Sequence, residues 1–346
     1  MDSREVTSYL KGIAISSVLI NHYSNYYLST GFGYANGIIA LFFVLSGYGI
    51  YYSFERAARR DNKKRTLLLK YLYKRVTRIY PLYWLALLVI LVYLSYRGAL
   101  QNFNIFSLVT GVAGIPTNPR SLLWFIPKII QCYILAPFLY FYQNRVGTKV
   151  FLISNLMFLV LLTAASYVLR IESVHVPGQR YLLYKGVFLS HVLMFSLGML
   201  IPRLVTTYKK SLSSPSACLV LLALFGVLVY AADQPDQLFR NSDVLLAPLF
   251  VVVTFALCLF MIPTNPVLPL KQLVILPGKH SYPLYLWHYP FFWLLVELGM
   301  IQTGSLKSAF FALLVFPAFL VVCMVMEGVS DSARYRLERR IFPTNG

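Results

Sequence analysis

The chain is poor in charge, and poorest in charge of one sign. Only 12% of its 346 residues are Asp, Glu, Lys or Arg, and 12 acidic residues face 31 basic ones. A soluble domain carries about 25% charged residues, so this chain lacks the means to cover itself in water. Cysteine is also scarce. Cys132, Cys218, Cys258 and Cys323 all lie in apolar stretches, at spacings that fit neither a zinc site nor a disulfide framework. They read as small buried side chains. There is no HExxH pair, no paired-cysteine motif and no glycine-rich phosphate loop, so neither a metal nor a bound cofactor is expected. Internal repeats and low-complexity tracts are missing, and no loop is long enough for a second folded unit. Residues 1–346 therefore read as a single domain. The opening "MDSREVTSYLKG" lacks a basic start followed by a small-residue cleavage site, and the first span is expected to be retained.

What the chain does have is apolar length: 58% of residues are hydrophobic and 16% aromatic. Segments of about 20 nearly uncharged residues are the length a helix needs to cross a bilayer. The expected fold is an all-α, polytopic membrane bundle of about ten transmembrane helices. They are placed at 8–27, 34–54, 79–96, 121–141, 150–169, 182–201, 215–232, 244–262, 281–300 and 306–327. The basic loop at 55–78 belongs on the cytoplasmic side. Alternation then puts both termini and the loops 142–149, 202–214 and 263–280 on that side, with 23 of the 31 basic residues. This bias, with anionic headgroups, accounts for the net charge of +19. No nucleic-acid partner is expected. The expected location is the plasma or inner membrane, multi-pass.

Two ionisable groups interrupt the first span, Lys11 and His22 in "YLKGIAISSVLINHYSNYY". Eleven residues at ~100° each bring them within about 20° of one helix face, about 16 Å apart along the axis. Charge inside a bilayer is costly and faces a protein interior, a cavity or the interface. Lys11 can simply snorkel to the headgroups, and His22 can simply hydrogen-bond a neighbouring helix. The alternative is chemical. An imidazole moves protons near neutral pH, or itself carries an acyl group.

A second cluster, Lys74, Arg75 and Arg78, opens the third span in "YLYKRVTRIYPLYWLALL". Arg75 and Arg78 are neighbours on one helix face, and guanidinium forks pair with phosphate oxygens. The same residues would also serve as an ordinary anchor to lipid phosphates. Ser46 beside Gly47, Trp124, Gln131, Tyr133 and His288 are candidates to line a substrate groove. Lys128 stands inside a span without an assigned role, and His191 reads as a packing residue. Glu297, Glu327 and Asp331 are candidate partners for the basic groups.

Five stretches, in order, resemble the acyltransferase 3 family of integral membrane proteins. "YLKGIAISSVLINH" resembles its basic-x10-His element, "LFFVLSGYGIYY" its second helix, and "KRVTRIYPLYWLALL" its double-arginine element. "LWFIPKIIQCYILAPFL" and "SYPLYLWHYPFF" are similar to two later helices. The resemblance implies an acyltransferase that moves an acyl group, most often acetyl, from cytoplasmic acyl-CoA to a carbohydrate hydroxyl at or across the membrane. It maps the catalytic pair onto Lys11 and His22, and acyl-CoA handling onto Arg75 and Arg78, with Lys74 flanking them. The expected partners are acyl-CoA as donor substrate, a carbohydrate acceptor and lipid. Two features depart from the pattern. Lys11 stands where many members have arginine. Ile129 and Ile130 stand where many have an acidic pair. No SGNH-type domain is expected after the bundle. The rival readings are a transporter of a glycan or a proton-coupled small molecule, and a scaffold. The chain shows no convincing inverted repeat with paired broken helices, which weakens the transporter.

Overall fold

The computed structural model describes residues 3–27, 35–60, 64–99, 125–168, 189–212, 269–300 and 306–341, with Leu123, Ser216, Val220 and Ala223. Trp124, most of the expected span 215–232 and all of 244–262 lie outside the described residues. Every regular element among the described residues is helical: α1 Ser3–Tyr27, α2 Ala35–Arg60, α3 Lys64–Tyr96, α4 Phe125–Val168, α5 Leu189–Leu212, α6 Pro269–Lys279, α7 Ser281–Glu297 and α8 Leu306–Ile341.

Three of these helices contain segments long and apolar enough to cross a membrane: Leu67–Tyr96, Phe125–Leu162 and Leu313–Ile341. α3 shows how such a helix is built. Ile79, Leu82, Tyr83, Ala86, Leu87, Ile90 and Leu94 are buried, at the three- and four-residue steps of one helical face. The opposite face is equally apolar yet exposed, with Leu88 and Val92 58% and 62% accessible. A helix that is apolar all round suits a protein core on one side and lipid on the other.

α4 is a run of 44 residues broken at Gly147, whose φ of 79° and ψ of 171° leave the helical region. Only glycine adopts such a backbone readily. The hydroxyls of Tyr142 and Ser154 are 2.9 Å apart, whereas a straight helix would hold those residues about 18 Å apart. The chain therefore doubles back at Gly147, inside the stretch 142–149 read as a loop.

The helices form two sets of opposite direction. α1, α3 and α7 run together: Tyr282 donates to the Ile79 carbonyl at 2.7 Å near one end, and Tyr93 to Glu297 at 2.9 Å near the other. α2, the first arm of α4, and α5 run the other way. The contacts Phe43–Phe125, Phe43–His191, Tyr140–Glu55 and Arg203–Tyr51 fix their register. α8 is antiparallel to α7, with Phe291 stacked on Phe319 at 4.3 Å and His280 paired to Glu327. Glycine permits the closest approaches. A Cβ on Gly47 would strike the Phe195 carbonyl, and one on Gly198 the Val44 carbonyl, so α2 and α5 touch backbone to backbone. This is the close packing that small residues allow between helices in lipid.

Several boundaries differ from the sequence expectation. The loop at 55–78 is mostly helix. α2 continues to Arg60, and α3 starts at Lys64. Leu67 and Tyr71 sit one turn apart, and Phe54 stacks on Tyr71 at 4.6 Å, which gives these basic turns a buried stripe. The stretch 263–280, read as a loop, contains α6. Pro269 occupies its first helical position, where proline costs nothing. The tail after 327 remains helical to Ile341, held by the Arg334–Asp331 and Lys74–Glu338 ion pairs.

Candidate active site

Lys11 and His22 both lie on α1, an unbroken helix over this stretch, so the face-sharing inferred from their spacing holds in the fold. Around Lys11 the chain assembles charge from two other helices. Arg75 and Arg78 of α3 and Glu327 of α8 are all within electrostatic range of its ammonium group. Glu327 also pairs with His280 Nδ1 at 2.6 Å, at the start of α7. α6 closes one side of this end. Cβ atoms on Gly12 and Gly278 would strike the backbones of Val274 and Ser8, so α1 and α6 meet without side chains between them. The Lys271–Glu5 pair, 2.6 Å, clamps the same contact.

Arg75 is held by aromatic rings. Its guanidinium carbon lies 5.6 Å from the centre of Tyr71 and 5.5 Å from that of Tyr133, within cation–π range. The Tyr71 hydroxyl donates to the Tyr133 carbonyl at 2.9 Å, which locks the cradle. Nε of Arg75 is buried without a hydrogen-bond partner. Arg78 is exposed. Lys74 points elsewhere, to Glu338 at 3.0 Å.

Three rings meet at the other end of the α1 face. The His22 ring centre lies 5.2 Å from that of His288 and 4.9 Å from that of Tyr289. The Tyr289 hydroxyl is 2.8 Å from His22 Nδ1. His288 is buried, 1% exposed, whereas His22 is only partly so. Consecutive residues 288 and 289 both reach His22 because α7 crosses α1 here, with Tyr23 packed edge-on against Phe292. Pro290 lacks an N–H, so the helix forgoes one intrahelical bond beside the histidine. Between the two ends stand tyrosines. Tyr282 lies within electrostatic range of Tyr133 and Arg78, and Tyr285 accepts from the Phe125 N–H at 3.4 Å.

The structure thus brings Lys11, Arg75 and Arg78 together at one end, and His22 with His288 at the other. Tyr133 joins the arginine end. Gln131 is half-buried on the same helix. Ser46 lies one turn from Phe42, which packs against Ile15 and Leu19 of α1. Ile129 and Ile130 are buried in the core, with no carboxylate in their place. Lys128 is buried one turn from Cys132, and His191 packs on Phe43 at 4.6 Å. Tyr289 is the contact of His22 that sequence reasoning missed. Its only signal was its place beside His288 in "LWHYP".

Comparison with known proteins gives one finding. A family model described as an acyltransferase domain matches residues 8–328, nearly the whole chain. No curated protein and no solved structure gives a match. The matched stretch contains every residue of both clusters, and on this evidence the chain belongs to the acyltransferase 3 family.

Proposed function

We propose that this membrane acyltransferase carries an acyl group, acetyl foremost, from cytoplasmic acyl-CoA to a hydroxyl of a cell-surface or lipid-linked carbohydrate. The single observation that supports this reading is the layout of α1. A cationic end made by Lys11, Arg75 and Arg78 and a histidine cluster around His22 occupy one helix face, with α7 and its tyrosines alongside.

Coenzyme A is a flexible arm with several phosphate charges at one end and a thioester at the other. The cations suit the phosphates, because charge-assisted bonds to phosphate are short and strong. The rise of about 16 Å between Lys11 and His22 suits an arm that reaches inward from its anchored end. At His22 the imidazole takes the proton of the acceptor hydroxyl. The oxygen attacks the thioester carbonyl, a C–O bond forms and the C–S bond breaks. The proton then passes to the departing thiolate, leaving ester and free coenzyme A. The fold proposed with this function has about ten spans, with both termini, Arg75 and Arg78 on the cytoplasmic side of the plasma or inner membrane. Lys74, Ser46, Trp124 and Gln131 remain in the proposal as flanking donor or acceptor contacts.

The test is His22→Ala. General base catalysis contributes about 10²- to 10⁴-fold, so glycan acylation, read by mass spectrometry of the cell surface, should fall by at least the lower figure at equal protein level. Unchanged acylation would remove His22 from the chemistry.

A further inference from the structure

Resting on that reading, we infer that His288 is a positioning residue for His22: its buried Nε2 is the acceptor that receives an N–H of the His22 imidazolium when His22 holds the substrate proton. His288 Nδ1 lies 2.6 Å from the carbonyl oxygen of Tyr285. A carbonyl only accepts, so Nδ1 carries the hydrogen. In a neutral imidazole Nε2 is then a bare lone pair. That atom is buried and has no hydrogen-bond partner. A buried polar atom left in this state is costly and calls for an explanation.

The explanation lies in the ring beside it. His22 packs on His288 at 5.2 Å, tilted by 32°, beside Tyr289 at 4.5 Å and Tyr285 at 5.7 Å, and of these rings it is the one that gains an N–H in the proposed reaction. Neutral His22 has one N–H, and the tautomer able to take a proton at Nε2 carries that hydrogen on Nδ1, given to the Tyr289 oxygen at 2.8 Å. Protonated His22 has two N–H groups. One then donates to the Tyr289 oxygen and the other, after a small rotation of the ring, to His288 Nε2. In that base-competent tautomer Nε2 is bare on both histidines and one acceptor goes unmet, whereas the state that follows proton abstraction satisfies both acceptors. Such a site favours the transition state over the ground state, which is what accelerates a reaction. No bond to His288 is made or broken, and its own hydrogen stays on Nδ1.

The experiment uses the full chain in lipid nanodiscs, with acetyl-CoA as donor and water as surrogate acceptor, read as free thiol released. His288→Leu should lower the maximal rate by about 10- to 100-fold while leaving the KM for acetyl-CoA within about twofold. His288→Gln, whose side-chain oxygen reaches the place of Nε2, should recover most of that loss. Equal losses in both variants, or a rise in KM with an unchanged maximal rate, would overturn the inference. A second arm does not depend on turnover. ¹⁵N-histidine magic-angle NMR of the same sample, assigned by single-histidine variants, should show His288 protonated at Nδ1 and bare at Nε2. The opposite tautomer would also overturn it. If His22→Ala keeps full thiol release, the functional reading itself has failed. If His22→Ala is dead while His288→Leu runs at the parental rate, the inference alone has failed.

Discussion

The hydroxyl of Tyr289 stands 2.8 Å from Nδ1 of His22. The two residues are 267 positions apart in the chain and meet because α7 packs along α1. Tyr289→Phe removes the hydroxyl and keeps the ring against His288 at its 4.5 Å spacing. A net hydrogen bond is worth about 0.5–1.5 kcal/mol, so the maximal rate should fall by roughly 2- to 12-fold, with the unfolding temperature nearly unchanged. Thiol release from acetyl-CoA by the purified variant measures this, and a rate equal to the parent's would show the hydroxyl to be idle.

Arg75→Ala combined with Arg78→Ala should weaken acetyl-CoA binding by at least about tenfold, since each hydrogen bond to a charged group contributes about 1.5–3 kcal/mol. Lys74→Ala should cost less, because that ammonium is already paired with Glu338. Isothermal titration at low and high salt separates the two cases. Equal affinity in the double variant would take the arginines out of the donor site.

Gly12→Val places a side chain where the backbone of α6 already stands, beside the Val274 carbonyl. Overpacking of this kind costs about 1–3 kcal/mol. Thermal unfolding in detergent should show the loss, and Gly278→Val should behave alike. Gly49→Ala is the control. Nothing lies within 4 Å of its would-be Cβ, and alanine is the better helix former, so stability should hold or rise slightly.

Much of the site could be read from one helix at a time. The Lys11–His22 face follows from 3.6 residues per turn, and Arg75 with Arg78 from the three-residue step. Both are local rules, and the fold keeps them. What escaped the sequence was set between helices. Tyr289 looks like one aromatic among many until α7 is laid against α1. α6 was hidden because Pro277 and Gly278 look like a loop, yet Gly278 is where α1 comes closest. The basic stretch at 55–78 read as a loop because charge density outweighed its buried Leu67 and Tyr71. The pairing of His280 with Glu327 needed α8 to return antiparallel, which no spacing announces.

Because Lys11 and His22 lie on one continuous helix, α1 would, on the proposed function, act as a ruler between the place where a donor is gripped and the place where it reacts. Inserting one residue between Gly12 and Asn21 would swing the imidazole by about 100° and aim it away from its partners on α7. Inserting four would bring it back to nearly the same heading but about 6 Å further along. On that proposal the reach of the donor is set by the number of residues from 11 to 22, and changing that number is a direct way to ask how long an acyl carrier the site accepts.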